Sequence, residues 1–433
     1  MAIRFALLLG FFLLLDWYFY QAVSTVTQSY ANSTKNLIKN FYWGFTVFSS
    51  VIMITAIIMG PLNAPKLLRV YVFAFIIVVE ISKLVGVSFI LIDDIIRLFR
   101  WILSFFQTSK TNQVTQISRI KFLQQMALGI AAIPFASLVF GMLKGAFDYR
   151  VKKIKLSLPN LPATFNGLKI VQISDIHTGS FTSTHHLEKA IEIIHQQKPD
   201  VIFFTGDIVN DKASELEGFS ETFKKIKAPL GVFSTLGNHD YGDYVQWESA
   251  AAKQENLEKI QLAHHEYGWK LLNNEHHVLE KEGEKIAILG VENWGGNLRF
   301  PKYGKIEEAH LGTENIPIKL LLSHDPSHWD GQINKEYKDI DVMFSGHTHG
   351  MQFGIEIPGF KWSPSQYLYK QWAGLYKKEN QYLYVNRGLG FIGYPGRVGI
   401  LPEITVVELF RGSDKLNFYF HKPKMSLFLH SKF

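Results

Sequence analysis

DIDVMFSGHTHGMQFG, residues 339–354, joins an apolar run of strand length to a glycine-bracketed turn that carries two histidines one residue apart. A short apolar run closed by glycine reads as a buried strand. In open α/β sheets the carboxyl ends of the strands form the ligand-binding edge. Four earlier stretches repeat the arrangement: LKIVQISD (168–175), PDVIFFTGD (199–207), LGVFSTLGNHD (230–240) and PIKLLLSHD (317–325). Helix-like stretches lie between them, TSTHHLEKAIEIIHQQ (182–197) being one. The alternation predicts an α/β domain with helices covering the sheet faces. All five runs bring their polar ends to one edge, with Asp175, His177, Asp207, Asn238, His324, His347 and His349 gathered there.

Carboxylate, amide and imidazole are ligands for borderline divalent cations, and these residues exceed what one tetrahedral site needs. Two ions are therefore implied. A carboxylate has two oxygens and can bridge ions about 3.5–4 Å apart, the separation used in two-metal phosphate chemistry. The paired histidines of the turn then have a purpose, since side chains one residue apart on a turn can reach two neighbouring ions. The chain has no cysteine, which excludes disulfides, thiolate metal sites and a cysteine nucleophile.

The ordered series D-x-H, G-D, G-N-H-D, a lone H and G-H-x-H is filled here by DIH, GD, GNHD, SHD and GHTH. In this it resembles the calcineurin-like binuclear metallophosphoesterases. The continuation GHTHGMQ is similar to the membrane-associated branch that includes UDP-2,3-diacylglucosamine hydrolases. The resemblance implies a four-layer α/β/β/α sandwich. It also implies that Asp175, His177 and His349 hold one ion, that Asn238, His324 and His347 hold the other, and that Asp207 bridges them. A hydroxide shared by the ions would attack phosphorus, so that a phosphodiester, phosphomonoester or pyrophosphate bond is hydrolysed. His239 would stabilise developing charge or protonate the leaving oxygen, with Asp240 orienting its ring. Manganese is the first choice of metal, with iron or zinc as alternatives.

The closing segment NRGLGFIGYPGRVGILPEI (386–404) places Arg387 and Arg397 among glycines, where a guanidinium could meet a phosphate. Ordinary surface arginine is the other reading. His185, His186, His195, His264, His265, His276, His277 and His328 lack a partner motif and read as surface histidines.

Working outward, the first third of the 433 residues is dominated by apolar runs. Stretches near 3–23, 41–61, 70–92 and 123–144 are long enough to span a bilayer. The first reads as a retained span, with a cleaved signal peptide as the alternative. Glu80 and Lys83, at i and i+3, are expected to neutralise one another within the third. DDIIRLFRWILSFF (93–106) suits a helix lying in the interface, or an extension of that span. GFKWSPSQYLYKQWAGLYKK (359–378) mixes Trp362, Tyr367, Tyr369, Trp372 and Tyr376 with lysines, as a bilayer-facing segment or a hairpin packed on the domain would.

The organisation expected is a membrane region over 1–145, a catalytic domain over 146–415 and a tail over 416–433. Net charge is +7 without a long basic run, so membrane lipids and a phosphorylated, lipid-linked substrate are the expected partners and nucleic acid is not. Flanking basic residues, slightly more numerous on the side of the C-terminal domain, place that domain in the cytoplasm of a multi-pass cell-membrane protein. The rival readings are a membrane scaffold or sensor that binds without turnover, and a phosphoesterase acting on soluble nucleotides or phosphoproteins.

Overall fold

Four long helices precede the first strand in a computed structural model that describes residues 2–59, 65–105, 116–296 and 300–412. They are α1 (Ala2–Val26), α2 (Asn32–Met59), α3 (Phe73–Ser104) and α4 (Gln116–Leu143). All four are long and apolar enough to cross a bilayer. At 1.5 Å per residue the 25 residues of α1 span roughly 37 Å, more than the hydrocarbon thickness. The expected tail at 416–433 lies outside the described residues.

Within α3, Lys83 Nζ lies 2.9 Å from Glu80 Oε1, as their spacing predicts. Asp16 of α1 joins them, so one buried ammonium serves two carboxylates from two helices. The segment from Asp93 is not a separate interfacial helix. It continues α3 to Ser104 without a break. Arg97 pairs with Asp93 at i−4 and Asp94 at i−3, and these pairs neutralise a charged rim through which the helix continues.

A tight turn at Gly145–Phe147 leads from α4 into the C-terminal domain. Contact there is backbone to backbone: a Cβ on Gly145 would fall 2.0 Å from the Arg397 carbonyl oxygen. The Tyr394 hydroxyl also donates to the Leu138 carbonyl of α4.

The C-terminal domain holds two six-stranded sheets. The first runs β1 (Arg150–Leu158), β14 (Glu403–Arg411), β2 (Lys169–Ile173), β3 (Val201–Phe204), β4 (Val232–Ser234), β5 (Lys270–Leu271). The second runs β12 (Gly374–Lys378), β13 (Gln381–Val385), β9 (Val342–Ser345), β8 (Lys319–Leu322), β7 (Glu284–Gly290), β6 (Glu275–Lys281). A small hairpin, β10 (Ile355–Ile357) and β11 (Phe360–Trp362), stands apart from both. Both large sheets are mixed. β14 runs antiparallel to β2, with Thr405 opposite Gln172, and parallel to β1.

Alternation along each strand builds the layers. Ile170, Phe203 and Phe233 face Leu320, Leu322 and Phe344 between the sheets. Val171, Ile173, Ile202 and Phe204 point the other way, against α5 (His185–Gln196) and the later helix Ala250–Glu266. Leu289, Leu321 and Met343 cover the outer face of the second sheet with Ile306 and Trp329. Each fully buried side chain of this kind contributes about 1.5–3 kcal/mol. The result is the helix–sheet–sheet–helix sandwich. The five motif-bearing strands are divided between the two sheets. β2, β3 and β4 belong to the first, β8 and β9 to the second, and the two sets of carboxyl ends converge.

Candidate metal centre

Each polar group leaves its strand through an abrupt turn. Asp175, His177, Asp207, His347 and His349 all have positive φ, between 48° and 71°, a conformation that costs a non-glycine residue about 1–3 kcal/mol and clusters at functional sites. The preceding glycines allow the turns to crowd. A Cβ on Gly206 would meet the Gly237 nitrogen at 2.5 Å, and one on Gly346 would meet Asp175 Oδ2 at 2.2 Å.

Two groups of metal-capable side chains result. Asp175, His177 and His349 present ligand atoms within 4.8 Å of one another, and so do Asp207, His324 and His347. In the first, His349 Nε2 is 3.3 Å from Asp175 Oδ1 and 3.0 Å from His177 Nε2. In the second, Asn238 Oδ1 lies 2.7 Å from His347 Nδ1 and 3.2 Å from His324 Nε2. Asp207 Oδ2 stands between them, 3.0 Å from His324 Nε2 and 3.6 Å from His177 Nε2. A single carboxylate oxygen thus touches both groups.

The donor set fits divalent cations. Two ring nitrogens 3.0 Å apart share at most one proton, whereas a cation satisfies both lone pairs. The electrostatics ask for the same thing. Burial opposes ionisation of Asp207, but the imidazoles of His324, His239 and His177 outweigh it and hold the carboxyl well below its usual range. Burial likewise opposes a charged His324, yet Asp207 and Asp175 push that ring up to about 10. The carboxylates require positive charge nearby, and in the chain alone a proton supplies it.

The surroundings orient these ligands. The Thr205 carbonyl accepts from His324 Nδ1 at 2.6 Å, which turns Nε2 inward. Tyr369 Oη sits 2.7 Å from His347 Nε2. Asp240 does not orient His239. Its oxygens accept backbone N–H groups of Asp207, Ile208 and Gly237, pinning two ligand loops together. The Asn210 carbonyl accepts from His239 Nδ1 at 2.7 Å instead.

Both arginines are buried. Arg387 pairs with Glu403 and with Glu356, and Arg397 donates to the Gly390 carbonyl at 2.6 Å, with its Nη2 3.1 Å from His349 Nδ1. Of the histidines read as surface residues, His264 and His328 are fully buried. His264 bonds Ser234 Oγ, and His328 stacks on Trp294. Trp372 is also buried, beside Ala373 and Ile400. The large apolar groups that reach solvent there are Ile355, Ile357, Phe360, Tyr367 and Leu368.

Comparison with known proteins agrees with this centre. Residues 168–351 match the family described as calcineurin-like phosphoesterase, and residues 2–146 match a probable calcineurin-like phosphoesterase transmembrane domain. An uncharacterized metallophosphoesterase of Bacillus subtilis, YkuE, is 32% identical over 259 residues, which cover 59% of this chain and 83% of the relative.

The chain belongs to the calcineurin-like phosphoesterase family.

A transmembrane protein with a metallophosphoesterase domain from Danio rerio is 31% identical over 281 residues, 63% of this phosphoesterase. The chain spans 60% of that relative's length. A UDP-2,3-diacylglucosamine pyrophosphatase of Chlamydia trachomatis, LpxG, is 28% identical over 289 residues, 56% of this chain and 83% of the relative. Family membership places the two metal-capable groups described above in a calcineurin-like phosphoesterase domain, preceded by four helices long and apolar enough to cross a bilayer.

Proposed function

We propose that this phosphoesterase holds two divalent cations and hydrolyses a phosphodiester, phosphomonoester or pyrophosphate bond in a phosphorylated amphiphile of the adjoining bilayer. The observation that carries the reading is the position of Asp207 Oδ2, within 3.6 Å of ligand nitrogens from both groups. Asp175, His177 and His349 would hold one cation, Asn238, His324 and His347 the other, and Asp207 both. Oxygen and nitrogen donors without sulfur favour manganese and accommodate iron or zinc. The ions, when bound, supply phosphate charge neutralisation and a water of lowered pKa.

The protein's own groups do the rest. With Nδ1 engaged by the Asn210 carbonyl, His239 offers Nε2 to the leaving oxygen and is our proton donor. Asp240 keeps the Asp207 and Gly237 loops in register, and Arg397 backs His349 rather than binding substrate. Arg387, closed off by two carboxylates, has the same supporting character. The junction of α4 with residues 394–397 supports a lipid-linked substrate, as does the activity named for the Chlamydia relative. The domain division at 145/146 and a cytoplasmic catalytic domain belong to this reading.

The test is hydrolysis of bis-p-nitrophenyl phosphate by purified full-length protein, with metal content measured in parallel. Two ions per chain and turnover abolished by a chelator are expected. Metal bound without turnover would favour the scaffold or sensor.

A further inference from the structure

A cleft of about 490 Å³ lies beside the Asn210 loop. Arg69 and Val70, at the head of the third membrane helix, form one wall, and Ser180, Asn210, Lys212 and Phe391 are among the residues of the C-terminal domain that line the rest. It adjoins the reacting groups, because the Asn210 carbonyl holds the His239 ring and Ser180 lies three residues beyond His177.

The cleft is a built feature. Glu215 accepts the backbone N–H groups of Asn210, Asp211 and Lys212, and Asn210 Nδ2 donates to Ser180 Oγ at 3.1 Å. A Cβ on Gly179 would fall 2.2 Å from Glu215 Oε2, so this floor requires glycine there. Two contacts fix the membrane wall against it. The Lys66 ammonium stands 5.9 Å from the centre of the Phe219 ring. Tyr394 donates to the Leu138 carbonyl. Leu67, two residues before Arg69, is exposed on the outer surface of the same helix.

Location and chemistry together limit the occupant. A molecule in this cleft lies between the head of a membrane helix and the Asn210 loop that holds the His239 ring. Arg69 and Lys212 suit phosphate oxygens, while Asn210, Ser180 and the carboxylate of Asp211 suit hydroxyl groups. Acyl chains do not fit among these charges, since burying them there would strip water from four ionisable groups without replacement.

We infer that this cleft is a headgroup subsite, which takes the hydroxyl-bearing headgroup linking the acyl chains of a membrane amphiphile to the scissile phosphorus. The inference rests on the phosphoesterase reading above. Arg69 and Val70 then determine specificity, and the membrane region supplies part of the substrate site.

Two chromogenic phosphodiesters with the same p-nitrophenolate leaving group test it on full-length, manganese-loaded protein in phosphatidylcholine nanodiscs. One is soluble bis-p-nitrophenyl phosphate and the other is oleoyl-lysophosphatidyl-p-nitrophenol, whose glycerol keeps a free hydroxyl and whose acyl chain holds it in the bilayer. The quantity read is the ratio of kcat/KM for the lipid ester to that for the soluble ester. Arg69→Gln should lower this ratio about tenfold or more, the worth of one charge-assisted hydrogen bond. Val70→Trp, which fills the cleft with Arg69 in place, should lower it in the same direction. An unchanged ratio in both variants, or an equal loss on both esters, overturns the inference. Wild-type turnover of the soluble ester with none of the lipid ester overturns the headgroup subsite alone, whereas no turnover of the soluble ester overturns the phosphoesterase reading itself.

Discussion

Two buried clusters of charge in this protein solve the same problem in opposite ways. Between α1 and α3, Asp16 and Glu80 surround Lys83, so the positive partner is part of the chain. At the convergence of the two sheets, Asp175 and Asp207 lie among the imidazoles of the two metal-capable triads, with the Arg397 guanidinium near Asp175 and turned toward His349. Buried carboxylates need a positive partner in either case, because an unpaired charge in a low-dielectric interior is costly. The membrane cluster is complete as folded, whereas the sheet-edge cluster, on the proposed two-metal reading, takes its partners from solution. Composition alone does not separate the two. The separation comes from which residue types the backbone brings together.

The contrast is broken most sharply at Asp207. Asp207→Asn removes the charge shared by both groups, and we expect metal content and phosphodiester turnover to fall together, turnover on the order of 10⁴-fold. A variant that retained two ions per chain by elemental analysis would remove the bridging role. His239→Ala provides the companion measurement, with both ions kept and turnover down by about 10²–10⁴. Loss of metal from that variant would make His239 a ligand.

The membrane cluster responds in another currency. Lys83→Met leaves two carboxylates buried without their ammonium, and thermal unfolding in detergent should show a loss of about 3–5 kcal/mol with metal stoichiometry unchanged. A melting temperature equal to wild type would mean that the cluster is solvated rather than paired.

The smallest effect concerns a buried imidazole in neither cluster. Burial pushes His264 down to about 3, against 6.5 for an ordinary histidine. The unfolded chain therefore takes up a proton below pH 6.5 that the folded chain refuses until pH falls to about 3, and acid destabilises the fold across that window. Between pH 7 and pH 5 this amounts to about 2 kcal/mol. His264→Gln should flatten the pH dependence of stability in that range, and an unaltered slope would assign it to other groups.

The gathering of the seven candidate residues at the converging strand ends was legible in the sequence because each follows a strand and sits in a tight turn, which is a local pattern. What stayed hidden was non-local or lacked a side-chain signature. Sheet membership was hidden because β14 pairs with β1 across some 250 residues of chain, in register Arg150 with Glu403. The partner of His239 was hidden because it is the backbone carbonyl of Asn210, which any residue would provide. Asp16 could not be matched to Lys83 without knowing how α1 packs on α3. The buried state of His264 depends on Trp269 and Phe204, whose rings enclose it only in the folded domain.

The left-handed backbone at five ligand residues has a consequence for loading. A strained turn of this kind persists only where its surroundings over-determine it, and here the constraints are protein contacts: Asp240 across the loops, Thr205 behind His324, Arg397 behind His349. On the proposed two-metal reading the donors would thus be in place before any ion arrives. An incoming cation would have only to shed its water, so uptake should follow the dehydration rate of the metal rather than a rearrangement of the chain.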